Sequence, residues 1–253
     1  MSRPPRILSE TGMYHIIFRG INKSDIFQDS YDYRKILEII DIVKKELHFQ
    51  LFAYCLMRNH THLFIKEENY GDIKKIMLKI LTRYAMWYNH KYDRRGPLIE
   101  NRYKSEPIED DSYFLTLLKY IHMNPVKAGI TLSPEEYHWS SFNDYMQNKP
   151  SLTDTEFAFT LLTDYASDPI AAFEELHSND ELIDYSITNS KQLTDDQAKR
   201  KILHITGIEA DKIAAMPLNE RIDILTELRA EGFTIRQLAN VTGIKKCFIE
   251  KIK

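Results

Sequence analysis

The chain has 253 residues, of which 43% are apolar and 28% are charged, with 8 glycines and 9 prolines. These values are typical of globular proteins and exclude intrinsic disorder and collagen-like or other low-complexity architectures. The first residues contain no apolar run that would form a secretory signal, and no stretch reaches the ~18 consecutive apolar residues of a membrane-spanning helix. The two cysteines lie far apart, so we expect no disulfide framework or cysteine zinc site, and a cytoplasmic protein. Because no stretch could span a membrane, we also expect no membrane partner.

Charge is distributed unevenly along the chain, although the net charge is only −3. Residues 1–150 hold 22 basic and 19 acidic residues, residues 151–190 hold 9 acidic and no basic ones, and residues 191–253 hold 12 basic and 9 acidic ones. This pattern predicts a first domain, an acidic connector and a basic C-terminal domain. Within 74–104 there are nine basic and two acidic residues, an excess that favours a polyanionic partner.

Hydrophobic periodicity predicts the elements of the first domain. They follow the order βαββαβα at 13–19, 30–47, 49–57, 60–66, 72–91, 98–108 and 111–124. Ser30 is the expected N-cap of the first helix, Arg58 and Asn59 form a tight turn, and Pro107 restricts the last strand to an edge. The order predicts an α+β, ferredoxin-like antiparallel sheet with helices packed on one face.

Beyond the first domain the sequence predicts only helices. Aromatic residues between 133 and 150 are expected to close over the core, and helices follow at about 154–165, 168–177, 194–205, 217–231, 234–241 and 244–252. The acidic connector, 151–190, and the C-terminal domain, 191–253, are therefore both expected to be helical.

Two histidines on the third strand form a candidate metal site. His60 and His62 are two residues apart, so their side chains point to the same face of a strand. Paired imidazoles can chelate one divalent metal, although an exposed pair of surface histidines gives the same pattern.

A tyrosine and an asparagine near the end of the third predicted helix form a second constellation. Tyr120 and Asn124 are one turn apart on the same flank, which they share with Tyr113. A metal held by His60, His62 and the amide oxygen of Asn124 would lie beside Tyr120, whose phenol needs such help to act as a nucleophile. An oxygen ligand favours Mg²⁺ or Mn²⁺.

Four ordered motifs resemble the REP-associated tyrosine transposases, relatives of insertion sequence 200-like transposases within the single-tyrosine HUH nuclease superfamily. They are HIIFRGINKSDIF near the start, LMRNHTHLF at 56–64, NRYKS at 101–105 and YIHMNPVKAG at 120–129. The resemblance implies an HUH fold, Mg²⁺ or Mn²⁺, and cleavage and joining of single-stranded DNA. His60 and His62 match the HUH pair, Tyr120 the nucleophile and Asn124 the third ligand. Thr61 and Arg58 depart from the usual residues without changing a catalytic group.

Basic residues outside these motifs are candidate DNA contacts, with a solvated helix face as the alternative. The set is Arg58, Lys75, Lys79, Arg83, Arg94, Arg95, Arg102 and Lys104. Tyr88, Tyr92 or Tyr103 would stack on bases. His15 and His90 are interpreted as structural residues.

The C-terminal residues from 233 to 252 predict a helix, a turn at Gly243 and a second helix. This is the pattern of a helix-turn-helix, and it loosely resembles the tails of some bacterial members of the family. Lys245 and Lys246 would then contact duplex DNA. An ordinary helical hairpin is the alternative.

The sequence as a whole predicts a transposase that cleaves and rejoins single-stranded DNA at hairpin or palindromic sites through a phosphotyrosine. Two alternatives remain: a domesticated palindrome-specific endonuclease, and a non-catalytic helix-turn-helix regulator. The family resemblance leaves both a monomer and a homodimer open.

Overall fold

The computed structural model describes residues 7–147, 149, 151–163, 167–178, 195–231, 233 and 235–249. The chain divides into two compact units, residues 1–183 and residues 184–253. The first unit therefore does not end near residue 150, where the charge pattern places a domain boundary. Among the described residues, no helix combines the length and the apolar character needed to cross a membrane.

A four-stranded antiparallel sheet forms the centre of the first unit. Its strands are β1 (Met13–Arg19), β2 (Gln50–Met57), β3 (His60–Lys66) and β4 (Lys104–Ile108). They lie in the order β2-β3-β1-β4. The ferredoxin-like prediction is confirmed, and β4 is an edge strand, as Pro107 requires. This strand is shorter than the predicted 98–108, because the chain before residue 104 forms a loop beside β1.

Helices α1 (Ser30–Leu47) and α2 (Ile73–Lys91) cover one face of the sheet. The core beneath them includes Ile16 of β1 and Leu63 of β3, which are fully buried. Each buried aliphatic side chain of this size stabilises the fold by about 1.5–3 kcal/mol relative to an exposed one.

The N-cap of α1 is Asp29, so the assignment of Ser30 is wrong. The Asp29 carboxylate accepts hydrogen bonds from the backbone N–H groups of Tyr31 and Asp32, and the Asp32 carboxylate accepts one from the backbone of Asp29. This reciprocal capping box satisfies N–H groups that have no partner inside the helix, and a serine one residue later cannot replace it.

Helix α3 (Asp111–Lys127) lies on the other face of the sheet, so the expectation of helices on one face holds only for α1 and α2. The Phe114 ring packs on Phe52 of β2 and Phe64 of β3, with centroid distances of 5.0 and 4.6 Å. Because these strands are buried on both faces, the sheet offers a second apolar surface that the strand pattern alone did not indicate.

Among its described residues, the first unit also contains α4 (Phe142–Gln147), α5 (Glu156–Thr163) and α6 (Pro169–Ser178). Phe157 of α5 contacts Phe114, and Phe173 of α6 stacks on Tyr145 with centroids 4.6 Å apart. The described part of the acidic segment is thus packed structure rather than a connector. Its apolar residues face inward, whereas acids such as Glu174 are exposed.

The second unit has its own core. It contains α7 (Asp195–Thr206), a 3₁₀ helix (Ala210–Ala215), α8 (Leu218–Ala230), α9 (Ile235–Thr242) and α10 (Lys246–Ile249). Ile202, Ile213, Leu225 and Leu238 are fully buried within it. The last helix begins at Lys246, two residues later than predicted, and its predicted end beyond residue 249 lies outside the described residues.

Candidate active site

The histidine pair lies on the face of the sheet opposite α1 and α2. His60 and His62 share that face of β3, and their ring centroids are 5.2 Å apart. In the antiparallel pairing of β3 with β1, His60 lies opposite Arg19 and His62 lies opposite Ile17. The side-chain period of two therefore places both imidazoles over the same part of the sheet.

Tyr120 of α3 lies against this pair. Its ring centroid is 5.6 Å from that of His62, in an edge-to-face arrangement. The Lys127 ammonium lies 4.8 Å from the centre of the Tyr120 ring. The structure therefore brings the candidate nucleophile next to the histidine pair, although Tyr120 lies 58 residues after His62 in the sequence.

The Asn124 side chain is held by carbonyl groups of the preceding helical turn. Pro125 has no N–H to donate to the carbonyl of Ile121, yet α3 continues to Lys127. The Asn124 side-chain nitrogen donates to the Tyr120 carbonyl at 2.8 Å and to that of Ile121 at 3.4 Å. Because the nitrogen is used in this way, the amide oxygen is the end of the side chain that is left for a ligand.

His15 of β1, which the sequence analysis interpreted as a structural residue, lies in this site beside His62. Its Nε2 lies 2.9 Å from Nδ1 of His62, and the two rings are stacked. Glu106 of β4 lies on the other side of His15, with Oε2 3.9 Å from Nδ1, and Glu106 also accepts a hydrogen bond from the Tyr113 hydroxyl. The sequence does show a histidine in a second predicted strand. Its place beside His62 could be recognised only from the pairing of β1 with β3.

Burial favours the neutral form of all three imidazoles. Burial lowers the pKa of His15, and burial together with the nearby Arg19 charge lowers the pKa of His60. The pKa of His62 is held well below its ordinary value, first by burial and then by the neighbouring positive charges. Neutral imidazole is the form that ligates metals.

Several predicted DNA contacts lie away from this site. Lys79 and Arg83 are on α2, on the other side of the sheet, and both pair with Glu46 of α1 at 2.6 and 2.9 Å. Lys75 lies 3.9 Å from Asp72. The sequence around α2 is poor in acids, but α1 supplies one, which weakens the argument for these residues as DNA contacts.

The remaining basic candidates differ in their surroundings. Arg58, in the β2–β3 turn, pairs with Asp25 at 2.8 Å, and Arg94 lies over the Tyr88 ring. Arg95, Arg102 and Lys104 are exposed.

Two of the proposed stacking residues are buried. Tyr88 is 1% exposed and Tyr103 is 8% exposed, so neither can stack on a base, and that expectation is wrong. The aromatic pattern of α2 turns Tyr88 toward the core, whereas Trp87 packs only at its margin. Tyr92 is half-buried, and its hydroxyl donates to the Asp32 carboxylate at 2.8 Å.

In the second unit, α9 is followed by Gly243, in the left-handed region with φ of 71°, and then by α10. Leu238, Ile244 and Ile249 are buried at the positions expected for a helix-turn-helix. Lys245 is exposed, whereas the Lys246 side chain lies outside the described residues.

The strand order β2-β3-β1-β4 defines a ferredoxin-like α+β protein. On one face of its sheet, a histidine pair lies against a tyrosine carried by a helix. Residues 9–124 match the family model described as "Transposase IS200 like". This part of the chain is similar to the IS200-like transposases, and the predicted resemblance is confirmed.

Solved structures agree at the level of the fold. A REP-associated tyrosine transposase bound to a REP hairpin superposes with a TM-score of 0.50 at 18% identity, covering 61% of this chain and 94% of that one. A candidate transposase from Deinococcus radiodurans R1 gives a TM-score of only 0.34 at 14% identity, covering 48% of this chain and 94% of that one. None of the curated proteins matches the chain.

Proposed function

We propose that this protein is a transposase that cleaves and rejoins single-stranded DNA at hairpin or palindromic sites, with Tyr120 as the nucleophile. The observation that carries the proposal is the Tyr120 ring placed 5.6 Å from His62, on the sheet face that also holds His60. A tyrosine that had only a packing role would not require two neutral imidazoles beside it.

The donor set fits Mg²⁺ or Mn²⁺. His60 Nδ1 lies 2.7 Å from the Asn59 side-chain oxygen, and His62 Nδ1 lies 2.9 Å from His15, so in both rings Nε2 is the nitrogen left for a ligand. With the Asn124 amide oxygen, these residues would hold one divalent cation. The described residues contain no group of three or more His, Cys, Asp and Glu side chains arranged for a metal. The proposal therefore takes the Asn124 amide oxygen as the third ligand. When bound, such a cation would neutralise charge on the phosphodiester.

The reaction requires a single displacement at phosphorus. The Tyr120 oxygen forms a bond to phosphorus as its phenolic proton leaves, and the bond from phosphorus to the departing deoxyribose oxygen breaks. That oxygen takes up a proton and becomes a free hydroxyl. In the reverse sense, a strand hydroxyl attacks the phosphotyrosine, which joins the DNA and restores the phenol.

Hairpin DNA is the partner we propose for the first unit, because the structurally similar REP-associated transposase is bound to a REP hairpin. We also propose that α9 and α10 contact duplex DNA through Lys245 and Lys246. The support for this is a buried helix-turn-helix pattern in a segment, 232–253, with five basic residues and one acidic residue.

Replacement of Tyr120 by Phe tests the proposal. Because only a hydroxyl is removed, we expect nicking of a hairpin oligonucleotide with single-stranded flanks to fall by at least about a thousandfold, with folding and DNA binding retained. No covalent protein–DNA adduct should form in Mn²⁺.

Tyr113→Phe is the matched control, because Tyr113 lies two turns earlier on the same flank and bonds to Glu106. It should keep the adduct. Full nicking by Tyr120→Phe, with loss in Tyr113→Phe, would transfer the role to Tyr113.

A further inference from the structure

A row of three polar side chains connects the proposed ligand His62 to the edge strand β4. His62 Nδ1 lies 2.9 Å from His15 Nε2, and His15 Nδ1 lies 3.9 Å from Glu106 Oε2. Glu106 is directly opposite His15 in the antiparallel pairing of β1 with β4, so their side chains share one face of the sheet. The row therefore ends on a carboxylate that the sequence alone does not mark as part of the site.

The contacts in this row are shielded from water. His15 and His62 are only 1% and 4% exposed, and the facing atoms His15 Nδ1 and Glu106 Oε2 are both buried. The other carboxylate oxygen, Glu106 Oε1, accepts a hydrogen bond from the Tyr113 hydroxyl at 3.1 Å. The gap of 3.9 Å is longer than a hydrogen bond, but a charge acts strongly over such a distance where water is excluded.

Two arrangements of protons satisfy the short contact between His15 and His62. A neutral imidazole carries one ring proton, so one nitrogen donates and the other accepts. In the first arrangement His15 is protonated on Nδ1, His62 Nδ1–H donates to His15 Nε2, and His62 Nε2 keeps a lone pair. In the second arrangement His15 Nε2–H donates to His62 Nδ1, and the proton of His62 is on Nε2. Only the first arrangement leaves His62 Nε2 ready to bind a metal.

The charge of Glu106 favours the first arrangement. An N–H group at His15 Nδ1 is attracted by the carboxylate, whereas a lone pair at that atom is repelled by it. Free histidine prefers its proton on Nε2, so without this charge both rings would take the second arrangement. His60 differs, because its Nδ1 lies 2.7 Å from the side-chain oxygen of its neighbour Asn59. The tautomer of His60 is thus set locally, whereas that of His62 depends on two other strands.

We infer that Glu106 is a positioning residue that sets the tautomer of His62 through His15. It thereby prepares His62 Nε2 for a metal before the metal binds, as carboxylates behind metal-binding histidines do in general. The inference rests on the proposed function, because it takes His62 as a ligand. It extends that function by giving a role to a residue of β4 that is not itself a ligand.

Nitrogen NMR of the metal-free, full-length protein labelled with ¹⁵N at histidine tests the inference. The ¹⁵N shifts of a neutral imidazole distinguish the nitrogen that carries the proton from the one that carries the lone pair. In the unaltered protein we expect the proton of His62 on Nδ1. In Glu106→Gln, which removes the charge and keeps the shape of the side chain, most His62 rings should carry it on Nε2.

Mn²⁺ binding is then measured by calorimetry in two backgrounds, because a carboxylate could also attract the cation directly. Glu106→Gln alone should weaken Mn²⁺ binding by about tenfold, since few of the His62 rings are then ready to bind. In a His15→Leu background the same substitution should change the affinity by less than about twofold, because the ring that transmits the effect is gone. An equal loss in both backgrounds would show that Glu106 acts only as a charge and would overturn the inference.

Glu109→Gln is the matched control. It removes the same charge three residues further along the chain, from an exposed side chain that accepts hydrogen bonds from the backbone N–H groups of Glu10 and Thr11. It should leave both the tautomer of His62 and the Mn²⁺ affinity unchanged. A His62 proton found on Nε2 in the unaltered protein would refute the inference, whatever the variants do.

Mn²⁺ binding and nicking by the unaltered protein test the proposed function separately. If that protein neither binds Mn²⁺ nor nicks DNA, while Glu106→Gln moves the proton of His62, the inference on Glu106 stands and the proposed metal site fails. If it binds Mn²⁺ and nicks DNA, while the proton of His62 stays in place in Glu106→Gln, the proposed function stands and Glu106 has no positioning role.

Discussion

The two faces of the central sheet have different roles. On one face, residues such as Leu63 and Ile65 of β3 are fully buried under α1 and α2. On the other face, His60 and His62 of the same strand meet Tyr120 and His15. From His60 to Leu63, the residues proposed for chemistry thus alternate with residues of the core beneath α1 and α2.

This arrangement has a physical consequence. Because side chains alternate at every residue of a strand, two neighbouring positions in the sequence have nearly independent surroundings. The histidine face can hold buried polar groups, which cost stability, because the opposite face supplies most of the apolar core. Substitutions at adjacent residues should therefore separate loss of activity from loss of stability.

The largest effects are expected at His62 and Leu63. His62→Ala removes a proposed ligand, and Mn²⁺ affinity measured by calorimetry should fall at least about a hundredfold, with nicking lost as well. Leu63→Ala leaves a cavity in a fully buried position, and it should lower the free energy of unfolding by about 2–5 kcal/mol while the folded protein still binds Mn²⁺ normally.

His60→Ala is expected to behave as His62→Ala does, and Asn124→Ala should weaken Mn²⁺ binding less, because a neutral amide is the poorest of the three ligands. Unchanged Mn²⁺ affinity in a His60→Ala/His62→Ala protein would show that the histidine face has no metal role.

The next effect concerns His15, which orients a proposed ligand without being one. His15→Leu removes the partner of His62 Nδ1, so Mn²⁺ affinity should fall by about 10–100-fold. His15→Gln keeps a hydrogen-bonding group and should recover most of that loss. If Leu and Gln give the same affinity, packing rather than hydrogen bonding explains the position of His15.

Most strands and helices of the first unit could be predicted from the sequence, because they depend on local patterns of apolar residues. Period-two and period-3.6 patterns fix strands and helices, and alternation alone places His60 and His62 on one face. The contribution of His15 could not be predicted, because it depends on which strand lies beside β3. Arg102 and Lys104 likewise come near the histidine face only because β4 pairs with β1.

Charge patterns were the least informative signal. The acidic segment resembles a separate connector because its acids dominate its composition, yet Phe157 and Phe173 anchor its helices in the first unit. The basic stretch of α2 looks uncompensated in the sequence, yet Glu46 compensates two of its members from 33 and 37 residues away. Net charge along a sequence does not show which charges meet in space.

Another pair of buried histidines, His122 of α3 and His177 of α6, gives a smaller effect that depends on pH. His122 Nδ1 lies 3.1 Å from His177 Nε2, and burial lowers the pKa of His177 to about 4. The unfolded chain binds a proton at an ordinary pKa near 6.5, whereas the folded chain does not, so stability is full above that value and falls as the pH drops toward 4.

Between pH 7 and pH 5, His177 should lower the free energy of unfolding by about 2 kcal/mol. Urea unfolding of the unaltered protein and of His177→Gln measures this, and the variant should lose about 2 kcal/mol less over the same range. An equal loss in both proteins would mean that the proton is taken up elsewhere.

The smallest effect is expected from removing the second unit. A chain ended at residue 183 keeps the sheet, α3 and the α5–α6 pair, so it should fold, bind Mn²⁺ and nick a short oligonucleotide at saturating concentration. Without the basic tail, hairpin binding should weaken severalfold, and the salt slope should fall by about 0.9 for each phosphate that the tail neutralises in the full chain. A chain ended at residue 150 is the contrasting case, because it exposes Phe114 and Tyr145, which α5 and α6 cover, and it should fail to fold. If the 183-residue chain folds but cannot nick DNA at any concentration, the second unit contributes to catalysis, and chemistry is not confined to one face of the sheet.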